Sequence, residues 1–548
     1  DTIVRNHQEM SDFQKVACIL IACLACGNRG IHVSTNINLF IMHTQRTLYL
    51  LSILLALACS FQSLSAQGCA PDETPPVPDV GSALPSEFNE VKKALASDKA
   101  SNDFFGFSVS VSGEYAIVGA FHQDEGLTTN NGAAYIFERD ASGTWAEVQK
   151  LLASDKARDD RFGWSVSVSS DYAIVGANFE DDGGVSNNGA AYMFERDASG
   201  NWAEQQKLVA SDKASNDEFG ISVSISSNYA IVGAHYNRGG GTYRSGAAYI
   251  FERDATGNWT EQQKLLASDR NYYDEFGSSV SISGDYAIVG ATGADDGTTL
   301  GTGAAYIFKR DATGNWVEVQ KILASDKSRN DFFGYSVSVL GGYAIIGAYQ
   351  ESSGLTSFNG AAYVFERDAS GTWAEVQKLL ASDKASSYHF GYGVSISGNY
   401  AVVGSPGHDD GGLFDNGAAY VFERNTSGNW TEVQKLLASD KAQGDRLGES
   451  VSVSGDDIIV GARFHDSSGF LDNGAAYIFS RNALGNWTQV QKLSASDQAY
   501  QSRFGSGVSI SGDSVIVGAA EKNRSTGAAY VFVRDNTGNW SEARKLLA

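Results

Sequence analysis

After Cys69 this chain has no cysteine, and after Pro85 it has one proline, Pro406. All five cysteines (Cys18, Cys23, Cys26, Cys59 and Cys69) sit in the first seventy residues, so neither disulfides nor a thiolate metal site can hold the remainder together. Basic residues are scarce: 41 Lys and Arg face 64 Asp and Glu, a net charge of −23. No basic stretch offsets that excess, which argues against nucleic acid, whose phosphates would be repelled. Long apolar runs are confined to Val16–Cys26 and Leu48–Ala58, both too short to span a bilayer as a mature helix. Missing too are Gly-x-Ser-x-Gly, His-Glu-x-x-His and any phosphate-cradling glycine loop.

What the chain has is repetition. Phe-Gly recurs every 57 residues at 105, 162, 219, 276, 333 and 390, becomes Leu447-Gly448 once, and returns at Phe504-Gly505. Gly-Ala-Ala-Tyr keeps the same spacing from Gly132 to Gly474, then reaches Gly527 after 53 residues, so the last copy is four residues short. Trp145, Trp202, Trp259, Trp316, Trp373, Trp430, Trp487 and Trp540 follow the same rhythm. A fixed period of this size is the mark of a repeat architecture.

Each copy divides into four strand-like runs, in the first copy Phe107–Ser112, Tyr115–Ala120, Ala133–Arg139 and Trp145–Ala153. The first alternates valine with serine at the period of a strand, and the second and third are nearly continuous apolar runs. Such runs imply strands covered on both faces. A four-stranded antiparallel sheet packed between two copies of itself meets that demand, so the expected fold is all-β, a β-propeller of eight blades, with seven as the alternative. Tight Ser-Gly-Glu or Ser-Gly-Asp corners join the first and second strands, and Asp-Ala-Ser-Gly-Thr turns join the third and fourth. The longer connections, about twelve residues after the second strand and the Ser-Asp-Lys stretch after the fourth, then share one rim. Glu90–Ala96 resembles a further fourth strand able to close the ring, although Trp540–Leu547 competes for that place.

The expected organisation is 1–41 as an upstream extension of the reading frame, 42–66 as an export signal, 67–87 as a proline-rich linker and 88–548 as the repeats. The signal reading rests on Met42, Arg46, the apolar run to Ala58 and Ser-Leu-Ser-Ala-Gln at 63–67, with cleavage after Ala66; Cys59 offers a lipoprotein-type alternative. A secreted or surface location follows as an expectation.

Phe-Gly, then Val-Gly-Ala some thirteen residues on, then Gly-Ala-Ala-Tyr-Ile-Phe, resembles the FG-GAP repeats of integrin α-subunit heads, and most of all their bacterial secreted branch. That resemblance implies a β-propeller and a binding or adhesion role. Integrin-type blades often hold calcium in an Asp-rich loop between the first two strands. Here that place is only Ser-Gly-Glu or similar, too short to supply the six to eight oxygens calcium takes, so no metal ligand and no ligand-binding residue carries over.

Candidate binding residues lie in the long loops. Acidic clusters recur there: Asp124 with Glu125, Asp181 with Asp182, Asp295 with Asp296, Asp409 with Asp410, and Asp466. Tyr236, Tyr349 and His408 join them, and Phe121, Phe179, Phe414 and Phe464 are further aromatic candidates for stacking. The alternative is that Asp and Gly are simply default turn residues. The leading expectation is a secreted, non-catalytic module that recognises an extracellular protein or glycan through the loop rim, without metal or cofactor. An extracellular polysaccharide-acting enzyme using the rim acids, and a structural spacer of a larger surface protein, are the alternatives.

Overall fold

The computed structural model describes residues 102–140, 144–467, 469–535 and 538–547. These residues lie in the compact unit Phe88–Ala548. The segments expected as export signal (42–66), as linker (67–87) and as a further fourth strand (Glu90–Ala96) fall outside them.

Each 57-residue repeat folds into one four-stranded antiparallel sheet, its strands hydrogen-bonded in chain order. In the first blade they are Val109–Ser112, Tyr115–Ala120, Ala133–Arg139 and Trp145–Leu151. Eight such sheets follow one another, the last ending with Ala528–Arg534 and Trp540–Leu547. The first strands of successive blades pack on one another right round the ring, whereas fourth strands touch their neighbours at few residues. The first strand is therefore innermost and the fourth outermost.

The continuous apolar runs have the explanation expected of them. Each core cluster lies between two blades: Ile117, Ala134, Ile136 and Leu151 of the first meet Phe162, Val175, Tyr192 and Trp202 of the second. Ala116, Val118, Tyr135 and Phe137 point the other way, into the junction with the last blade. Both faces of a sheet are thus buried, and alternation of polar and apolar residues disappears from its middle strands.

The glycine landmarks meet at the junctions. Gly163 has a φ of +95°, and a Cβ there would lie 2.3 Å from the Ala133 carbonyl oxygen. A Cβ on Gly119 would lie 2.0 Å from the Gly163 carbonyl oxygen. Phe-Gly of one blade and Gly-Ala of the preceding blade are two halves of one close backbone approach.

Serine has a different task from that of a solvent-facing strand residue. Ser110 Oγ accepts the Val168 N–H at 3.3 Å, Ser167 Oγ the Ile225 N–H and Ser509 Oγ the Val111 N–H. The innermost strand has no strand beyond it to receive its outward N–H groups, and the neighbouring blade's serine supplies an acceptor.

The outer part of each junction is fastened by side chains. Trp202 N–H donates to Gln149 Oε1 at 2.8 Å, and Gln149 Nε2 donates back to the Trp202 carbonyl. Glu204 accepts from both Ser154 N–H and Ser154 Oγ. Arg196 reaches Glu138 of the preceding blade at 2.9 Å.

Ring closure repeats these contacts. Phe105 bridges to Gly527 as Phe162 bridges to Gly132, and Phe104 N–H donates to the Ser525 carbonyl. The last repeat keeps its own fourth strand, so among the described residues the ring closes by stacking of complete blades.

Candidate functional site

The chain enters each innermost strand through Phe-Gly and leaves the second strand through Gly-Ala, and these two points lie side by side. His122 N–H donates to the Asp103 carbonyl, and Phe179 N–H to the Asp160 carbonyl. The residues flanking Phe-Gly and following Gly-Ala therefore gather at one end of the innermost strands. They are also the residues that differ most between copies: Phe107, Trp164, Ile221, Ser278, Tyr335, Tyr392, Glu449 and Ser506 occupy one equivalent position.

Two aromatic groups form there. Phe107 lies 4.7 Å from Phe121 and 5.0 Å from Trp164 between ring centres, and Phe104 lies 5.2 Å from Phe121. Further round the ring, Tyr349 lies 4.5 Å from Tyr335 and 5.6 Å from Tyr392, and Tyr335 lies 5.2 Å from Tyr392. Contacts between Phe107 and Trp164, and between Tyr335 and Tyr392, cross from one blade to the next.

The acidic loop clusters are used within their own blades. Asp124 Oδ1 accepts the Asn130 N–H at 2.7 Å, Asp181 that of Asn187, Asp295 that of Gly301, Asp409 that of Asp415 and Asp466 that of Asp472. The first acid of each cluster thus closes its loop across six residues. The second acid meets lysines: Glu125 pairs with Lys150 at 2.6 Å, Asp410 with Lys435 and Lys441, and Asp182 with Lys207 and Lys213. Asp296 accepts the Thr298 and Thr299 N–H groups, which hold its carboxyl down at about 2. The structure does not draw these residues into one constellation.

Other candidates separate by burial. His408 is wholly buried, its Nε2 3.0 Å from Asp383, and burial pushes its pKa down. Tyr236 is half-buried, stacked on His235 at 3.9 Å with the Arg244 guanidinium 3.9 Å from its ring. Tyr349 belongs to the second aromatic group. Of the stacking candidates Phe414 is exposed, while Phe121 is buried by its neighbours, contrary to the exposure expected of a loop aromatic.

Sequence reasoning missed a network that recurs from junction to junction among the described residues. Tyr192 Oη donates to Asp155 Oδ1 at 2.9 Å, and Lys207 Nζ donates to Asp155 Oδ2 at 2.6 Å. Tyr249, Asp212 and Lys264 repeat the arrangement, as do Tyr306, Asp269 and Lys321. Burial works to raise these aspartates, and the bonds from lysine and tyrosine overcome it and hold them below the usual carboxylate range. Asp155, Glu180 and Asp182 alone, among the described residues, place carboxylate oxygens within 4.8 Å of one another as a metal would require. Lys207 Nζ stands among them at 2.6, 2.5 and 2.9 Å and supplies the positive charge itself. The signal lay in the recurring Ser-Asp, Gly-Ala-Ala-Tyr and Gln-Lys of successive copies, but spacing does not say which blade a partner comes from.

Close to the closure of the ring lies a cavity of about 240 Å³ with Phe104, Phe107 and Phe121 on its wall, together with Arg463, Arg503, Ser506, Ala520 and Glu521.

The FG-GAP repeat model matches residues 88–137, 145–194, 202–251, 259–308, 316–365, 373–422, 430–479 and 487–532. The chain belongs to the FG-GAP repeat family. Eight matches in register with eight blades agree with the resemblance carried by Phe-Gly and Gly-Ala-Ala-Tyr. No curated protein sequence matches the chain. Among solved structures, a Lactobacillus plantarum protein is similar with 12% identity and a TM-score of 0.41 over 68% of this chain and 95% of its own. Saccharomyces cerevisiae Sqt1 has 11% identity and a TM-score of 0.47 over 80% and 98%. The Pseudomonas aeruginosa periplasmic gluconolactonase PpgL has 16% identity and a TM-score of 0.40 over 68% and 94%. Similarity of this degree says nothing about activity. No helix among the described residues is long and apolar enough to cross a membrane.

Proposed function

We propose that this FG-GAP repeat chain is an exported, non-catalytic binding module that takes an extracellular protein or glycan at the mouth of its ring. One observation supports the reading above others: the residues that differ between otherwise near-identical blades converge on the end of the innermost strands, where Phe107, Trp164, Tyr335, Tyr349 and Tyr392 form aromatic surfaces. Eight equal surfaces would give a ligand no reason to prefer one, whereas the varied mouth presents a single pattern. Aromatic faces suit sugar rings and protein side chains alike. The rim acids fit catalysis less well, because the first of each cluster closes its own loop and most of the second pair with lysine. Export rests on the segment 42–66, and sequencing of the mature protein should then begin at Gln67.

The test is a screen of glycans and matrix proteins, with release of reducing ends followed in parallel. Tyr349→Ala and Phe107→Ala should each weaken binding at least tenfold without unfolding the ring. Normal binding by both variants, alongside loss on changing the Ser-Gly-Asp corners at 283–285, would place the ligand on the opposite end. Release of reducing ends would turn the reading to an enzyme.

A further inference from the structure

In a chain of net charge −23, three arginines crowd one side of the mouth. Arg446, Arg463 and Arg503 lie 5.2, 4.8 and 4.9 Å from the ring of Phe464. They come from two neighbouring blades, Arg446 and Arg463 from the seventh and Arg503 from the eighth; Arg446 and Arg503 fill the same repeat position, as Arg161 does, while Arg463 stands at a position where no other copy has an arginine. Two carboxylates answer them. Glu449, nearly buried, pairs with Arg463 and lies 3.7 Å from Arg446, and Glu521 pairs with Arg503 at 2.6 Å. Three guanidiniums against two carboxylates leave an excess of one positive charge.

The cavity of about 240 Å³ is lined by Arg463 and Arg503, with Glu521 beside Arg503, and by the phenyl rings of Phe104, Phe107 and Phe121. Three polar atoms of its lining residues, Arg463 Nε, Arg503 Nε and Ser506 Oγ, are buried with no hydrogen-bond partner among the described residues, and of these Arg463 Nε is ion-paired with Glu449. Buried donors are rarely left so, and a ligand oxygen is one way to satisfy them. The volume is below the ~300 Å³ at which pockets for drug-sized molecules begin, which suits one ring rather than a chain of rings. An apolar wall of phenyl rings inclined at 31° and 63° to one another, together with guanidiniums and a hydroxyl, suits a pyranose that turns its C–H face to one ring and its carboxylate to arginine.

The geometry points to a subsite for a carboxylated sugar, a uronate residue of an acidic glycan, held between the three phenylalanines and Arg503. It rests on the proposed binding role and names the ligand class for that same mouth. Arg503 supplies the charge-assisted bonds, with Ser506 as hydroxyl partner. Arg463 is tied to Glu449 and sets the local potential.

Titration calorimetry with galacturonate oligosaccharides, and with the same oligosaccharides as methyl esters, tests it. The acid form should bind at least tenfold more tightly than the ester, and that preference should fade as salt is raised. Arg503→Gln should remove the preference with an unchanged melting midpoint, since its partner Glu521 is partly exposed. Ser506→Ala should weaken the acid severalfold. Equal binding of acid and ester, no binding of either, or an unchanged preference in Arg503→Gln would each overturn the inference. Neutral glycans or proteins that still bind, and lose binding in Tyr349→Ala, would leave the mouth as the binding site while removing the uronate subsite. If every ligand found ignores both Tyr349→Ala and Phe107→Ala, the mouth falls as the binding site and the uronate subsite with it.

Discussion

Single residues matter here mainly through what lies across the junction. Gly163→Ala would set a methyl 2.3 Å from the Ala133 carbonyl oxygen on a backbone at φ +95°, and should cost well over ~1 kcal/mol. Gly284 at φ +58° has open space around it, so Gly284→Ala should cost only the ~1–2 kcal/mol of a left-handed alanine. Urea unfolding midpoints of the two variants compare them directly. The buried aspartates before Phe-Gly make a pH prediction. Desolvation raises Asp160 and Asp274 to about 6 and Asp331 to about 7, from an ordinary value of 3.8. A carboxyl raised on folding holds its proton more tightly in the native state, so its contribution is full below about 4 and falls as pH rises towards 7. Asp155, Asp212 and Asp269 are lowered instead, and their contribution is lost as pH falls below 3.8. The melting midpoint should therefore rise from pH 8 to about 5 and drop sharply below 4. Asp331→Asn should flatten the upper slope without touching the acid side; an unaltered slope would refute the assignment.

At the scale of the blade, each repeat depends on its neighbours. Phe333 is wholly buried against Tyr363 and Phe365 of its own blade and against Ile288 and Ile307 of the preceding one. Phe333→Ala should cost about 3–5 kcal/mol. Asp269→Ala removes the acceptor of both Tyr306 and Lys321 and should cost about 1–3 kcal/mol, measured by denaturant unfolding. The four-strand pattern of the blade was legible in the valine–serine alternation and the apolar runs. The purpose of the serines was not, because their hydroxyls serve the neighbouring blade's backbone, about 58 residues away in sequence.

Across the whole ring, closure makes stability collective, since every blade has two neighbours and no terminal repeat is left half-covered. Phe333→Ala should lower one unfolding transition in calorimetry rather than split it in two. Lys207 stands where a cation would sit among Asp155, Glu180 and Asp182, so a chelator should leave the melting midpoint unchanged. A chelator-induced loss of about 3 kcal/mol or more would mean an occupied metal site elsewhere in the loops.

The 57-residue period, the Phe-Gly and Gly-Ala-Ala-Tyr landmarks and the apolar runs determined the fold by themselves, because a repeat that cannot bury its faces alone must stack on copies of itself. The blade count and the manner of closure waited on the tertiary structure, since nine fourth-strand candidates cannot be ranked from sequence. So did the candidate site. The acidic loops stood out as residue types, but only the fold shows that Asp124 and Asp409 close their own loops and that His408 is buried. Phe104, Phe107, Arg463 and Arg503, hundreds of residues apart for the most part, come together only because the ring brings its last blades against its first.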